Sequence, residues 1–360
     1  MIPQIQPWID EEELAEVVEV MKSTWLTEYK KTAKFEEMFK ELTGAKYAYA
    51  FSNGTVTLFT ALKVLGIGEG DEVIVPSITF TATINPILLL GAKPVLVDID
   101  KDTFCMNADL IEEKITSKTK AIMPAHLYGQ SADMEKIMKI AKKHKLFVIE
   151  DAAQAVGVKF NGKHAGTFGE YGSFSFYGNK TVTTGEGGML VTNDKKLADA
   201  AYRFKNHGRL EKGVFVHEQI GMNFSFTEMQ AAVGIAQLNK LERIIKRKQE
   251  IREIYMRELS GVKGITFPKI HPKCSPVHWF TNIIVKDAEA LSNALKKREI
   301  QTRRFFFPIY KQPCYKEMGF KGKFPVADFA YTCGLSLPSS AIIKNEDILT
   351  VCSAIKEELK

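Results

Sequence analysis

The sequence predicts an α/β fold in which a mostly parallel, mixed sheet lies between helices and a smaller C-terminal α/β domain follows it. From about residue 44 to residue 200, short apolar runs rich in β-branched residues alternate with segments of helical period. Strand–helix alternation over such a length is typical of a sheet that is covered on both faces. With 360 residues, the chain is also long enough for two domains that share an interface.

The apolar runs predict the strands of the sheet, and the segments between them predict its covering helices. Runs of alternating or continuous apolar residues predict strands at about 47–51, 72–75, 94–98, 121–124, 146–150, 173–177 and 188–192. Helical periodicity predicts helices at about 54–65, 79–90, 110–115 and 134–143.

A long helix is expected to connect the two domains. Thr227 can cap its start, and Gln230 completes the capping pattern three residues later. The helical pattern runs on towards Leu259, and its charge density rises after Leu241. We therefore expect a large domain with an N-terminal arm at 1–245 and a small C-terminal domain at 246–360.

Composition argues against several classes of protein. The net charge is +6, but no basic block with interleaved aromatic residues occurs, so nucleic-acid binding is disfavoured. An anionic small substrate would fit the excess of positive charge, and so would a general surface bias. The five cysteines form no Cys-x-x-Cys pair, which argues against a disulfide framework or a zinc site. No signal peptide or membrane span is apparent, so a cytoplasmic protein without a membrane partner is expected.

The first candidate site is the turn after the strand at 47–51. Gly54 and Thr55 lie where this strand passes into a helix. Backbone amides at a helix N-terminus, with a glycine that permits close approach, form an anion site suited to phosphate. A plain strand-to-helix turn explains the same residues about as well.

The second candidate site is an acidic pair at the end of a buried strand. Glu150 and Asp151 end the apolar run at 146–150, at the edge where α/β proteins bind ligands. A carboxylate there can pair with a protonated ring nitrogen such as that of pyridoxal 5'-phosphate (PLP). Metal binding is the rival role, but no histidine or further carboxylate follows at ligand spacing, so no metal is predicted.

Three further residues complete a pattern. Phe80 follows a strand end and could stack on a flat ring, Ser175 could donate its hydroxyl to a phosphate, and Lys180 follows a strand just before a glycine-rich turn. A lysine in that place is a candidate Schiff-base former. Each residue also has an ordinary structural explanation: core aromatic, strand serine, surface lysine. Together with the phosphate turn and Asp151, however, they supply every contact that PLP needs.

At this level of detail the chain resembles the DegT-type sugar-nucleotide aminotransferases, which are PLP enzymes of fold type I. The resemblance covers essentially the whole length and lies in the motifs Ser-Asn-Gly-Thr at 52–55, Gly-Asp-Glu-Val-Ile-Val-Pro at 70–76, Gly-Ala-Lys-Pro at 91–94, His-Leu-Tyr-Gly at 126–129, Glu-Asp-Ala-Ala-Gln at 150–154, Ser-Phe-Ser at 173–175, Asn-Lys at 179–180 and Gln-Ala-Ala at 230–232. The run from Tyr177 to Gly188 is most similar to the perosamine-synthase branch, which aminates C4 of a 4-keto-6-deoxy sugar nucleotide.

The resemblance implies a role for each cofactor-side residue. Lys180 is implied to form the Schiff base and to shuttle the proton, Asp151 to hold the pyridinium, and Gln154 to contact the ring hydroxyl. Phe80 is implied to stack on the ring. The phosphate is implied to be bound by Gly54, Thr55 and Ser175, and by Asn223 of a neighbouring subunit, so a homodimer with shared active sites is expected.

The resemblance also implies the reaction. Glutamate is the usual donor and 2-oxoglutarate its product, and the keto sugar then accepts the amine in a ping-pong cycle that serves dideoxy-sugar and polysaccharide biosynthesis. Related dehydratases carry histidine in place of Lys180, so the lysine favours amino transfer. A 3-aminotransferase, an aminotransferase for another keto sugar, and a PLP-binding regulator without turnover are the alternatives.

On the substrate side, the resemblance suggests Trp25, His126, Arg303 and Tyr310. This side also contains the departures from the family pattern. Ser225 stands where arginine is common, Tyr310 stands where histidine is frequent, and Arg304 follows Arg303 where proline is frequent. The substrate is therefore specified less sharply than the cofactor.

Overall fold

The architecture comes from a computed structural model that describes residues 1–211, 213–320 and 322–360. Its strands are β1 Tyr47–Phe51, β2 Glu72–Pro76, β3 Lys93–Val97, β4 Thr119–Ile122, β5 Phe147–Asp151, β6 Lys159–Phe160, β7 Lys163–His164, β8 Tyr171–Ser175, β9 Gly188–Thr192, β10 Cys274–Ser275, β11 Asn282–Ile284, β12 Arg303–Arg304 and β13 Gly334–Ser336. Its helices are α1 Glu11–Ser23, α2 Lys30–Thr43, α3 Gly54–Val64, α4 Asn85–Leu89, α5 Met134–His144, α6 Lys195–Lys205, α7 Glu228–Asn239, α8 Leu241–Leu259, α9 Ala288–Lys297, α10 Pro325–Cys333 and α11 Asn345–Glu358.

The seven strands predicted from the sequence form one sheet, in the order β1-β9-β8-β5-β4-β2-β3. Neighbours from β8 to β3 pair in parallel, whereas β9 runs antiparallel to both β8 and β1. The prediction of a mostly parallel, mixed sheet is confirmed. Since parallel strands end at the same edge, β5 and β8 deliver their last residues, Asp151 and Ser175, to one edge of the sheet, where Asp151 pairs with Ser173.

The sheet is buried on both faces, as the alternation along β9 shows. Met189 and Val191 belong to one apolar core cluster, and Leu190 between them belongs to the other. Successive side chains of a strand point to opposite faces, so each cluster fills one side of the sheet. The expectation of helices covering both faces is thus confirmed.

Two of the predicted helices are shorter than expected. The segment predicted at 110–115 consists of two 3₁₀ turns, Ala108–Leu110 and Glu112–Lys114. The segment predicted at 79–90 contains the 3₁₀ turn Thr81–Thr83 and then α4. Pro86 lies in the first turn of α4, where its missing N–H is tolerated, and it prevents a helix from starting further back.

The single long helix expected after Thr227 is in fact two helices. Thr227 and Gln230 form the predicted capping box at the start of α7, but α7 ends at Asn239 and α8 begins at Leu241. Lys240 lies between them with its ammonium buried, 2.8 Å from Asp10 Oδ1 and 2.9 Å from Glu13 Oε2. This ion pair with the N-terminal region accompanies the break.

The C-terminal residues divide between two cores. A third apolar cluster consists almost entirely of side chains from 251 to 355, with the partly buried Ile2 packed against it. It lies beside the small sheet β11-β13-β12. Several residues between 305 and 330, among them Phe305 and Tyr315, pack instead into the core of the large sheet.

The N-terminal arm lies across both parts of the chain. Ile2 pairs with the backbone of Glu299 at 2.8 Å and of Gln301 at 2.9 Å, and the Gln4 carbonyl accepts from Ser339 N at 2.8 Å. Gln237 Nε2 donates to the Trp8 carbonyl at 2.7 Å. Within the three described ranges, no helix combines the length and apolar character that crossing a bilayer requires.

A buried lysine on α8 predicts a pH-dependent stability. Lys248 Nζ donates to the carbonyls of Trp279 (3.0 Å) and Ser339 (2.9 Å), and burial lowers its pKa from 10.5 to about 7. Between pH 7 and pH 10.5, Lys248 is protonated in the unfolded chain but largely neutral in the folded protein, so the free energy of unfolding rises with pH. We expect Lys248→Met to remove this rise from the free energy of unfolding, measured in urea at several pH values.

The neighbouring Lys246 provides the matched control for this prediction. It is exposed on the same helix, so Lys246→Met should retain the pH dependence of the wild type. Parallel stability curves for Lys248→Met and wild type would contradict the assignment of the rise to Lys248.

Candidate active site

A cleft of about 720 Å³ opens where β5 and β8 end. Clefts at the carboxyl ends of parallel strands are the usual ligand sites of α/β proteins. The structure brings most of the residues singled out in the sequence together here: the lining includes Gly54, Thr55, Phe80, Asp151, Gln154, Ser175, Lys180 and Arg303.

Lys180 presents a partly neutral amine to the cleft. The turn that carries it is closed by a hydrogen bond from its own amide to the Tyr177 carbonyl at 2.8 Å. Burial lowers the pKa of its amine to about 8, while Asp151 opposes this shift and Arg303 adds to it. Near pH 8 a large fraction of the amine is therefore neutral, which is the form that attacks a carbonyl.

Asp151 is a fixed carboxylate in the same cleft. It is buried; its Oδ2 accepts from Thr83 Oγ1 at 2.7 Å and its Oδ1 accepts from Ala153 N at 3.1 Å. Two donors from different segments hold the carboxylate in one orientation. Such a group can bind a cationic N–H that a ligand brings into the cleft.

Glu150, the other member of the acidic pair, has a structural role. Its oxygens accept from the amides of Gly166 (2.7 Å), Phe168 (2.6 Å) and Gly169 (2.9 Å), and it is completely buried. Successive residues of a strand face opposite ways, so Glu150 points away from the cleft that Asp151 lines.

His126, which the sequence suggested for the substrate side, lies in the core and does not line the cleft. It is 1% exposed; its Nδ1 accepts from Ala132 N at 3.1 Å, and its Nε2 lies 2.9 Å from Glu150 Oε2. An accepting Nδ1 leaves the proton on Nε2, which then donates to the carboxylate. Both ring nitrogens are thus engaged within the protein.

Gly54 and Ser175 form a close-fitting corner of the cleft. A methyl group at Gly54 would lie 2.9 Å from Ser175 Cβ and 3.2 Å from the Phe174 carbonyl oxygen. At the same corner, the amides of Thr55 and Val56 donate to Asn53 Oδ1 at 3.0 and 3.1 Å. Because Asn53 engages these two amides, the corner offers a phosphate the Ser175 hydroxyl and the positive end of the α3 dipole.

We expect Gly54→Ala to damage this corner. The added methyl must push Ser175 away, at an overpacking cost of about 1–3 kcal/mol, and it occupies the space in which an anion would approach. Thermal unfolding and titration with PLP should show lower stability and weaker binding. Gly68→Ala is the control, because its methyl meets only the Leu90 carbonyl at 3.6 Å. Equal PLP affinity in the Gly54 variant and wild type would contradict the assignment.

Gln154 and Phe80 also line the cleft. Gln154 is held by a hydrogen bond from Tyr128 N to its Oε1 at 2.8 Å, which leaves its amide nitrogen for other partners. Phe80 is more than half exposed, and its ring centroid lies 6.1 Å from that of Phe306. An aromatic face exposed in a cleft is available for a flat ring.

The remaining sequence-based residues lie elsewhere. Among the described residues that line the cleft, Arg303 is present, but Trp25, Asn223 and Tyr310 are absent. Trp25 packs on Tyr29 with centroids 4.8 Å apart, and the Tyr310 hydroxyl donates to Asp328. Asn223 is exposed, and its Oδ1 accepts from Ser225 N at 3.1 Å.

Several residues in or next to the cleft were given no role by the sequence analysis. Thr83 and Trp279 contact Asp151 and Lys180 respectively, and Asn179 and Glu186 line the cleft. Asn179 precedes the predicted lysine, which is a usable signal, whereas Trp279 comes about a hundred residues later with no motif around it. No set of three or more His, Cys, Asp or Glu side chains within 1–211, 213–320 and 322–360 is arranged to hold a metal ion.

Comparison with known proteins identifies relatives over the whole chain. The model of the DegT/DnrJ/EryC1/StrS aminotransferase family matches residues 7–356. A GDP-perosamine synthase of Escherichia coli O157:H7 is 43% identical over 363 residues, covering 99% of this chain and 98% of the relative. One of Vibrio cholerae is 36% identical over 365 residues, with the same coverage. The structure of S. venezuelae DesV in complex with a ketimine intermediate superposes with a TM-score of 0.93 at 32% identity and covers 99% of each chain.

Proposed function

Because this chain belongs to the DegT/DnrJ/EryC1/StrS aminotransferase family, we propose that it transfers an amino group from glutamate to C4 of a nucleotide-linked 4-keto-6-deoxyhexose, with PLP as its cofactor. The substrate part of the proposal rests on the full-length similarity to GDP-perosamine synthases. The observation that carries the chemistry is the meeting of Lys180 and Asp151 in one cleft.

The residues present fit PLP. Lys180 offers an amine with a lowered pKa for covalent attachment to the aldehyde, and Asp151 offers a fixed carboxylate for the ring N–H. Gly54 leaves free the space that a Cβ would fill beside Ser175, as a phosphate corner requires. Each end of the cofactor therefore has a partner of suitable chemistry.

When bound, the cofactor supplies a protonated ring that accepts the electron pair left when a substrate carbon loses its proton. The carboxylate of Asp151 keeps the proton on the ring nitrogen, because opposite charge at close range favours the protonated form. Lys180, once its amine is free, takes the proton from the substrate carbon and returns it. Arg303 lies at the cleft wall, where its positive charge can bind the carboxylate of glutamate or a phosphate of the nucleotide.

We also propose that two copies assemble with shared active sites. Beside the phosphate corner, an apolar surface groove is lined by residues that include Thr55, Leu89, Ile220 and Met222. Ile220 is 91% exposed and the nearby Phe215 is 82% exposed. Apolar side chains grouped on a surface mark an interface. Asn223 is exposed between Met222 and Phe224, which line this groove, and would reach the partner's phosphate.

The division into domains at 1–245 and 246–360 is likewise a proposal. The apolar cluster built almost wholly from residues after 251 supports it. Phe305 and Tyr315 belong to the second range but pack into the core of the large sheet. Within 246–360, the small domain then consists of two segments of chain, and the segment between them packs against the large domain.

The proposed function is tested by its two half-reactions. With PLP bound, the protein should release one equivalent of 2-oxoglutarate from glutamate in the absence of any sugar, and the absorbance of the cofactor should change in step. The protein with pyridoxamine 5'-phosphate bound should then convert a GDP-linked 4-keto-6-deoxyhexose faster than the UDP- and dTDP-linked sugars. Absence of 2-oxoglutarate would overturn the donor, and an amine at C3, located by NMR of the product, would overturn the regiochemistry.

A further inference from the structure

We propose that Trp279 is a positioning residue for Lys180: its indole face receives the lysine amine whenever that amine is not bonded to the cofactor, and Lys248 fixes Trp279 in place. This inference rests on the proposed function, because it concerns the amine while it moves a proton. It assigns a role to a tryptophan and a buried lysine that no motif in the sequence identified.

The contact between Lys180 and Trp279 is direct. Lys180 Nζ lies 4.3 Å from the centroid of the Trp279 ring, within the range of a cation–π interaction. The indole N–H donates to the Asn179 carbonyl at 2.6 Å. The indole ring is therefore hydrogen-bonded to the residue that precedes Lys180, and this bond keeps the ring next to the lysine side chain.

Lys248 holds the backbone of Trp279. Its Nζ donates to the Trp279 carbonyl at 3.0 Å and to the Ser339 carbonyl at 2.9 Å, and the side chain is buried. Burying an amine is unfavourable, and an apolar side chain of similar length would fill the same space without that penalty. The two carbonyl bonds tie the Trp279 backbone to α8 and to the segment after β13.

The arrangement suits a lysine that must alternate between two states. A free lysine side chain has many rotamers, and an aromatic face at the right distance limits them to those near the cleft. Because the ring face attracts the ammonium more than the neutral amine, it also favours the proton on Nζ just after Lys180 has taken it. Asp151 acts in the same direction, whereas Arg303 opposes it.

The test measures the pKa of the Lys180 amine in the full-length protein saturated with pyridoxamine 5'-phosphate, the form in which that amine is free. Competitive acetylation over a range of pH, quantified by mass spectrometry of the peptide that contains Lys180, gives this value. We expect Trp279→Leu to lower it by about one pH unit, because the cation–π contribution is lost. Trp279→Phe, which keeps an aromatic face, should restore most of the difference.

Lys248→Met separates positioning from electrostatics. Burial lowers the pKa of Lys248 to about 7, so Lys248 is mostly neutral where Lys180 titrates, and removing it should act on the pKa of Lys180 only by loosening Trp279, which should lower that pKa. A lower value therefore supports the inference, and an unchanged or higher value overturns the role of Lys248. This variant and Trp279→Phe still decide the matter if Trp279→Leu does not fold.

Failure of this inference is distinct from failure of the proposed function. If wild type forms no covalent linkage between Lys180 and PLP, the proposed function fails. If that linkage forms but Trp279→Leu leaves the pKa of the Lys180 amine unchanged, the positioning role alone is overturned.

Discussion

Replacing Lys180 with alanine should reduce turnover by at least about 10⁴-fold, because one side chain both attaches the cofactor and moves the proton. The variant should also lose the yellow absorbance of covalently held PLP. Borohydride reduction followed by peptide mass spectrometry should find the cofactor on the peptide containing Lys180 in wild type and on no peptide in the variant.

Lys180→Arg is the matched control, since it keeps a long cationic side chain but cannot form the linkage. We expect it to be as inactive as the alanine variant, because charge alone does not replace a nucleophilic amine. Turnover at the wild-type rate in either variant would remove Lys180 from the mechanism, whatever the cleft geometry.

Asp151→Asn should leave PLP bound but slow the glutamate half-reaction by roughly 10²–10⁴-fold. The amide has nearly the same shape, but it carries no charge to keep the proton on the ring nitrogen. Attachment through Lys180 and the phosphate corner remain, so binding should change little. Single-turnover absorbance changes measure the effect directly.

Thr83→Val provides the comparison for Asp151. It removes one hydrogen bond to the carboxylate, the one at 2.7 Å, but keeps the charge. We expect a loss much smaller than that of Asp151→Asn. Equal single-turnover rates in Asp151→Asn and wild type would show that the carboxylate is not needed for the chemistry.

The cofactor side of the cleft could be predicted because its residues are fixed by local rules. Gly54 follows a strand and opens a helix, and Asp151 and Ser175 are the last residues of strands that pair in parallel. Strand periodicity places such residues at one edge before any contact is known. Lys180 follows in the next turn, so its position is fixed by the same strand.

The rest depended on contacts between distant parts of the chain. His126 belongs to a matching motif, but burial and the carboxylate of Glu150 retain it in the core. The helix expected through Lys240 breaks at a residue whose ammonium meets Asp10 and Glu13, more than two hundred residues earlier. Trp279 reaches Lys180 in the same way. Sequence patterns reflect residues that are close along the chain, so they do not indicate contacts between such distant residues.

The course of the N-terminal arm has a consequence for how the protein is made. Ile2 and Gln4 are synthesised long before their backbone partners, which are Glu299, Gln301 and Ser339. Contacts between such remote residues form late, because the intervening loop must close first. Ile2 and Gln4 therefore remain without these partners until synthesis has passed Ser339.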